Sequence, residues 1–223
     1  MCGKFTQMLT WSEMVEISDL LLSAKTGSME TVTPMRFASV IVLDDQGRRR
    51  TVRMRWGLVP AGARGPSAAK PIIHARAETI DVKPTFRAAF AARRGIVAVT
   101  TFNEGREVTP TKTEQYVLTP QDGAPVGIAV VWEPPSNSQP GPLSGTPFSF
   151  AMVTVPPNDL IATITDRMPA LIDAADWPLW LGETQAPLEE VKALLKPSDR
   201  GLDMRRAEKP PSRKKDDGQP SLF

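Results

Sequence analysis

Residues 37–56, FASVIVLDDQGRRRTVRMRW, carry the clearest fold signal in the sequence. FASVIVL is rich in β-branched and apolar residues and predicts a strand, and the turn-forming residues DDQG follow it. In the next run, RRRTVRMRW, apolar residues alternate with Arg53 and Arg55. A period of two places alternate side chains on opposite faces of a strand. The stretch therefore predicts a β-hairpin with one buried face and one basic face.

Further strands and a few helices are predicted on both sides of this hairpin. The predicted strands are GIVAVTTF (95–102), EQYVL (114–118), VGIAVVWE (126–133) and FSFAMVTV (148–155). A capping-box pattern, TWSE at 10–13, predicts a helix that ends near Gly27. Two more helices are predicted, NDLIATI behind Asn158 and PLEEVKALLK before Pro197. We therefore expect an α+β fold, a single domain whose core is a mostly antiparallel or mixed β-sheet.

The domain boundaries follow from composition. With 223 residues, the chain is long enough for one domain with a substantial core. Residues 134–147 are rich in Pro, Gly and Ser and predict a loop between strands. From residue 197 the chain becomes polar, basic and proline-containing, which is typical of disorder. We expect a folded domain over residues 1–196 and a disordered tail over 197–223.

Charge and cysteine usage narrow the function classes only slightly. Lys and Arg number 27 and Asp and Glu 25, so a nucleic-acid partner would need a local basic surface. No apolar run is long enough to span a membrane, and the acidic residues in the first twenty argue against a signal peptide. One cysteine cannot form an internal disulfide. These features predict a cytoplasmic protein with no membrane association, and we expect a monomer.

That one cysteine, Cys2, stands where removal of Met1 would make it the N-terminus. An N-terminal cysteine carries an α-amine and a thiol on adjacent carbons, and both have reference pKa values close enough to neutrality to react. Such a 1,2-aminothiol condenses with an aldehyde, first as a Schiff base and then as a thiazolidine ring. The alternative is that Cys2 is a small apolar residue that starts the first strand.

Five short patches, in order along the chain, resemble the SOS-response-associated peptidase family. They are MCGKF (1–5), MRWGLVP (54–60), HARAETI (74–80), FNEGRE (102–107) and TDRMPALI (165–172). The resemblance extends from residue 1 to about residue 185. It implies a protein of the DNA-damage response that captures abasic sites in single-stranded DNA, removes its own Met1, and needs neither a metal nor a cofactor.

The resemblance also implies catalytic residues. Cys2 matches the cysteine that forms the thiazolidine, and Glu104 matches the acid/base glutamate. His74 stands where the family has an asparagine, and Thr165 stands where it has a histidine. Because imidazole titrates near neutral pH, we expect His74 and Glu104 to share the proton transfers, with Thr165 as a hydrogen-bonding residue. The alternative is a variant with impaired or altered activity.

The same resemblance implies a DNA-binding surface. Lys4, Arg76, Arg87 and Arg167 fall at or beside phosphate-contacting positions, and Pro34 matches a proline that wedges into the DNA. A tryptophan that usually follows the WGLVP turn is absent here. The alternative for the cations, most of all for Arg87, is an ordinary solvated or ion-paired surface charge. Phosphate contacts bind without reading sequence and weaken with salt.

The last five residues, QPSLF at 219–223, resemble the pentapeptide with which bacterial replication proteins bind the sliding clamp. Leu222 and Phe223 are apolar anchors that would fill a pocket, and Gln219 supplies an amide. Partnership with the clamp would place the protein near the nucleoid. The alternative is a fortuitous apolar terminus, since short motifs often match by chance.

Two other functions compete with abasic-site capture. Class II glutamine amidotransferases also begin Met-Cys-Gly, so an N-terminal-nucleophile amidohydrolase is one alternative. Their downstream arginine and asparagine–glycine substrate motifs are absent from this sequence. The other alternative is a non-catalytic DNA or clamp adaptor, which the substitutions at His74 and Thr165 would allow.

Overall fold

The computed structural model describes residues 2–7, 30–60, 71–135 and 148–207. The strands in these ranges are β1 (Lys4–Gln7), β2 (Glu30–Val32), β3 (Phe37–Leu43), β4 (Arg49–Trp56), β5 (His74–Arg76), β6 (Arg94–Val99), β7 (Thr101–Thr109), β8 (Lys112–Pro120), β9 (Val126–Glu133), β10 (Ser149–Val155), β11 (Met168–Pro169), β12 (Leu171–Ile172) and β13 (Leu202–Arg206). The helices are α1 (Pro84–Ala92), α2 (Asp159–Ala162), α3 (Trp177–Leu181) and α4 (Leu188–Ala193).

Five of the strands close into a ring. The hairpin β3–β4 runs in register from Phe37 opposite Arg55 to Leu43 opposite Arg49. β4 then pairs in parallel with β10, and β10, β9, β6 and β3 follow as antiparallel neighbours. Three short strands attach to this barrel: β5 and β11 pair with β10, and β12 pairs with β9. Closure removes the open sheet edges that the five ring strands would otherwise expose.

A second sheet contains β13, β8, β7, β1 and β2 in that order, with every pair antiparallel. The chain passes into this sheet from the barrel at Thr100, between β6 and β7. The buried side chain of Gln7 joins the two layers. Its amide Nε2 donates to the carbonyl oxygens of Ser39 at 3.0 Å and Ala98 at 3.3 Å, and its Oε1 accepts from the Ser39 N–H. The N-terminal strand is therefore fastened to β3 and β6.

The core lies inside the barrel and between its wall and the second sheet. Trp56, which ends β4, is completely buried there, with ring centroids 5.2 Å from Phe5 and 6.4 Å from Phe150. Met54 and Trp56 of this strand are buried, whereas Arg53 is exposed and Arg55 half-buried on the opposite face, so the predicted division of β4 into a buried and a basic face is confirmed.

The helices cover the barrel from outside. In α1, which begins with Pro84 at its first position, Phe86 and Phe90 are buried. In α3, the indole of Trp180 donates to the Gly95 carbonyl at 2.8 Å. Gly127 on β9 leaves room for the other α3 indole, since a Cβ there would lie only 2.7 Å from Trp177 Nε1.

The predicted α+β class with mixed and antiparallel sheets is confirmed. The hairpin and the strand at 126–133 fall where the sequence predicted them. The helix predicted at 158–164 is real but short. Asn158 caps it by accepting from the Ile161 N–H at 3.0 Å.

Two predictions about chain organisation are wrong. The single strand predicted at 95–102 is two strands, because the chain changes sheets at Thr100. The tail predicted to be disordered from residue 197 contains β13, whose backbone pairs with β8 over five residues. The predicted helix at 10–27 and nearly all of the loop at 134–147 lie outside the described residues.

Candidate active site

Cys2 lies just before β1 and is 1% exposed. The strand that follows it pairs with β7, with Lys4 opposite Asn103. The Cys2 thiol Sγ is 3.5 Å from the carbonyl oxygen of Lys4. Burial raises the pKa of this thiol, and the negative charge of Glu104 raises it further. At neutral pH the sulfur therefore keeps its proton until a base removes it.

Glu104 lies on β7 and is completely buried. It is two residues from Phe102, a core residue, so both side chains point to the same face of the sheet. Burial raises the pKa of Glu104 to about 7, and the nearby Asp166 also acts in that direction. A carboxyl with this pKa can both donate and accept a proton at neutral pH.

His74 begins β5 and pairs with Met152 of β10. Its Nε2 atom is 2.8 Å from the backbone carbonyl oxygen of Cys2. Because a carbonyl only accepts, Nε2 carries the hydrogen, and the neutral ring keeps a lone pair on Nδ1. Burial lowers the pKa of His74, which favours this neutral form at pH 7. The ring also meets Trp56 edge-on, with the centroids 6.1 Å apart.

Thr165 follows α2 and is half-buried, with its N–H bonded to the Ile161 carbonyl at 3.0 Å. The next residue, Asp166, is exposed and acts on the pKa of Glu104. The TDRMP segment therefore contributes to the electrostatics of the site. Sequence reasoning missed Asp166, although it lies inside one of the five motif patches.

Arg167 is engaged inside the protein. Its guanidinium forms a two-pronged ion pair with Glu78, with Nη2 2.9 Å from Oε2, and Nη2 also donates to the Thr154 carbonyl at 2.6 Å. Glu78 lies in the 3-10 turn Ala77–Thr79, directly after the strand that carries His74. The ion pair therefore holds the turn that fixes His74 to the body of the barrel.

The other cations expected to contact DNA lie at the surface. Lys4, Arg76 and Arg87 are exposed, on β1, β5 and α1 respectively. Pro34 is half-buried in the turn between β2 and β3. The structure thus brings Cys2, His74 and the buried carboxyl of Glu104 together. Gln219, Leu222 and Phe223 lie outside the described residues.

The groups around Cys2 are of the kinds that react with carbonyl compounds. A thiol, a carboxyl with a pKa near neutrality and a neutral imidazole meet in one buried region. Within the described ranges, no three His, Cys, Asp or Glu side chains are grouped so that they could hold a metal ion.

Comparison with known proteins gives a consistent result. The family model described as SOS response associated peptidase (SRAP) matches residues 1–209. Abasic site processing protein YoqW of Bacillus subtilis (strain 168) is 28% identical over 205 residues, covering 89% of this chain and 88% of that protein. Abasic site processing protein HMCES of Xenopus tropicalis is 25% identical over 177 residues, covering 69% of this chain and 51% of that protein.

Solved structures resemble the fold. A protein from Bordetella bronchiseptica has a TM-score of 0.74 at 23% identity, covering 93% of this chain and 100% of that one. A protein from Bacteroides thetaiotaomicron has a TM-score of 0.72 at 21% identity, covering 93% of this chain and 92% of that one. At these identities the likeness concerns the fold alone. None of the described helices is long and apolar enough to cross a membrane.

The buried carboxyl of Glu104 predicts an unusual dependence of stability on pH. Its pKa rises from 4.5 to about 7 on folding, so the folded protein holds a proton that the unfolded chain releases. The free energy of unfolding therefore contains a contribution from this proton that is fully present below pH 4.5. That contribution is lost as the pH rises to about 7, at no more than about 1.4 kcal/mol per pH unit.

Glu104→Gln should remove this loss. Urea unfolding measures the free energy of unfolding at pH 5 and at pH 8. Between these two pH values it should fall by about 2–3 kcal/mol more in the wild-type protein than in the variant. Glu107→Gln, an exposed residue on the same strand, is the matched control and should keep the wild-type profile. Parallel profiles for wild type and Glu104→Gln would contradict the assignment.

Proposed function

Because this chain belongs to the SOS response associated peptidase family, we propose that it processes abasic sites in single-stranded DNA by forming a covalent bond through Cys2. Two kinds of evidence support the proposal. Its relatives YoqW and HMCES are named abasic site processing proteins. The single structural observation that carries it is the meeting of Cys2, His74 and Glu104 in one buried region.

The proposal requires Cys2 to become the N-terminal residue through removal of Met1. Its free α-amine then attacks the C1′ aldehyde of the ring-opened sugar and forms a carbinolamine. Protonated Glu104 gives its proton to the leaving hydroxyl, so water departs and an iminium ion remains. The raised pKa of Glu104 ensures that the acid form is available for this step near neutral pH.

Ring closure uses the same carboxyl in its other protonation state. The Glu104 carboxylate accepts the thiol proton of Cys2, and the sulfur adds to the iminium carbon. This closes a neutral thiazolidine ring and restores protonated Glu104, so one water is the net product. Because burial and the Glu104 charge raise the pKa of the thiol, the amine reacts first and the sulfur second.

His74 makes two contributions in this scheme. Its Nε2–H donates to the Cys2 carbonyl, which orients the nucleophilic residue. Its Nδ1 lone pair is the one available to accept or relay a proton. We assign it a share of the proton transfers beside Glu104, with Thr165 as a hydrogen-bonding residue for the sugar or phosphate.

DNA contact is assigned to the exposed cations. Lys4, Arg76 and Arg87 are exposed and available to phosphates, and Pro34 lies in the turn between β2 and β3. Arg167 is already engaged by Glu78 and Thr154, so we assign it a positioning role instead. Phosphate contacts by these residues would be insensitive to sequence and would weaken with salt.

A denaturing gel with single-stranded DNA that contains one abasic site tests the proposal. Wild-type protein should give a heat-stable adduct, and DNA with a tetrahydrofuran analogue, which has no aldehyde, should give none. Cys2→Ala and Cys2→Ser should form no heat-stable adduct without reduction, because neither has a thiol to close the ring. Both keep the α-amine, so both should form a Schiff base that appears only after borohydride reduction. Absence of any wild-type adduct would refute the proposal, and ammonia release from glutamine would favour the amidohydrolase.

His74 can be tested separately from Cys2. If it transfers protons, His74→Ala and His74→Gln should both slow adduct formation about a hundredfold, because glutamine keeps a donor for the Cys2 carbonyl but no base. The measurement is the single-turnover rate with saturating abasic DNA. A wild-type rate in His74→Ala would exclude a role in proton transfer. A wild-type rate in His74→Gln alone would limit His74 to orienting Cys2.

We also propose, on the sequence motif alone, that residues 219–223 bind a bacterial sliding clamp. Deleting them should reduce affinity for a purified clamp by about thirtyfold or more, because Leu222 and Phe223 are the anchoring side chains. Replacing Arg213, Lys214 and Lys215 with alanine is the control for the charge of the tail. Equal clamp affinity of the deletion and the wild type, by calorimetry, would reject this partner.

A further inference from the structure

A cavity of about 510 Å³ lies at the other end of the barrel from the candidate active site. Its walls come from the turn of the β3–β4 hairpin and from parts of α1, β6, β9, α3 and α4. Arg50, one of its lining residues, precedes Trp56 by six residues on β4, a separation of about 20 Å along the strand. Cavities of this volume are typical of sites for small molecules.

The guanidinium of Arg94 is fixed in the cavity wall. Its Nε donates to the Trp180 carbonyl, and its Nη1 donates to the carbonyls of Phe90 at 2.7 Å and Ala91 at 2.8 Å. These bonds to neutral carbonyls join α1, α3 and β6 but leave the charge of Arg94 without an ion pair among the described residues. Its Nη2, which carries two N–H groups, forms no hydrogen bond with any residue that the structure describes.

Gly182 leaves space beside this Nη2 atom. It follows α3 with a φ angle of 98°, a left-handed conformation that glycine adopts without strain. A Cβ at this position would lie 3.1 Å from Arg94 Nη2. Both residues line the cavity, so the N–H groups of Nη2 are accessible to a molecule bound there.

The other charges of the lining favour an anion as ligand. Arg50 is exposed, and its side chain has no ion pair within the described ranges. Asp45, also exposed, is a carboxylate at the rim with no ion pair in the described part of the chain. Two ion pairs neutralise the remaining charged lining residues: Arg93 with Glu133 at 2.6 Å and Asp44 with Arg48 at 3.0 Å. Two unpaired guanidinium groups therefore face one unpaired carboxylate.

An aromatic and apolar wall accompanies the guanidinium groups. The indole of Trp132 is half-buried, and its Nε1 donates to the Arg94 carbonyl at 3.2 Å, so ring and cation have fixed relative positions. Leu188, at the start of α4, also lines the cavity and is 39% exposed. Small-molecule sites combine such apolar walls with a few fixed polar groups.

We propose that this cavity binds a small phosphate monoester that carries a flat ring, which is the chemistry of a nucleoside monophosphate. Arg94 Nη2 and Arg50 bind the phosphate, and the ring packs against Trp132 and Leu188. A monoester has three terminal oxygens and nearly two negative charges, so it can accept from both guanidinium groups at once. The cavity is separate from Cys2, so this inference does not depend on the proposed covalent function.

Calorimetry with the full wild-type chain tests which parts of the ligand are recognised. The probe is deoxyadenosine 5′-monophosphate, and inorganic phosphate and deoxyadenosine serve as its two halves. The monophosphate should bind more tightly than inorganic phosphate, and deoxyadenosine should bind most weakly. Deoxyadenosine binding as tightly as the monophosphate would overturn the assignment of the arginines to phosphate. Inorganic phosphate binding equally tightly would overturn the contact with the ring.

Two exposed positions locate the binding without disturbing the bonds through which Arg94 joins α1 and α3. Arg50→Gln should weaken binding of the monophosphate about tenfold, because it removes one charged donor. Asp45→Asn should strengthen binding about twofold, because it removes a like charge. Arg205→Gln, on β13 of the second sheet, makes the same charge change as Arg50→Gln and should leave the affinity at the wild-type value.

The outcomes separate this site from other anion-binding surfaces. Wild-type affinity in both Arg50→Gln and Asp45→Asn overturns the inference, and so does equal weakening by Arg50→Gln and Arg205→Gln, which would reflect net charge alone. If Arg50→Gln weakens only an undamaged single-stranded oligonucleotide and not the monophosphate, the surface binds DNA and the inference is wrong. A missing covalent adduct with monophosphate binding retained refutes the proposed function and leaves this site standing. Circular dichroism of each variant excludes loss of fold as the cause.

Discussion

The buried indole of Trp56 is the contact on which the site depends. Its ring packs against Phe5 of the N-terminal strand and Phe150 of the barrel, and its Nε1–H donates to the Ile73 carbonyl at 2.9 Å. The next residue after Ile73 is His74, whose ring meets the same indole. One side chain thus sets the relative positions of the N-terminus, the barrel wall and the short strand that carries the imidazole. Each aromatic pair contributes about 0.5–1.5 kcal/mol beyond burial.

The elements predicted correctly from sequence are those whose own residues determine them. The hairpin at 37–56 alternates apolar and polar residues along β4, and β9 is a continuous apolar run, so both were evident. Strands β11 and β12 have two residues each and exist only because neighbouring strands offer hydrogen bonds. β13, with the polar sequence LDMRR, is a strand for the same reason, at the edge of the second sheet. Tertiary pairing overrides local composition in these segments.

From the sequence, only those residues of the candidate site that match a family motif position could be predicted. Cys2, His74 and Glu104 came from their places in ordered patches, whereas Asp166 emerged only from its electrostatic effect on the buried carboxyl. Charge was the least predictable property. Arg76 and Arg167 lie in similar motif patches, yet one is exposed and the other is bonded to Glu78 and to a β10 carbonyl. A sequence gives the number of cations, but only the fold determines which of them already have an internal partner.

The two substitutions relative to the family pattern, histidine at position 74 and threonine at position 165, are chemically compatible with each other. Cys2 and Glu104 are both buried, and an unpaired charge is costly in such a region, so a neutral hydrogen-bonding group suits the position next to Cys2. His74 meets that need, because burial keeps its ring neutral while Nε2–H still bonds to the Cys2 carbonyl. Under the proposed function the imidazole on β5 shares in proton transfer, so this scheme needs no second imidazole at position 165. In the same scheme Thr165 has the role of a hydrogen-bonding residue, and threonine adds no titratable group to the segment that carries Asp166.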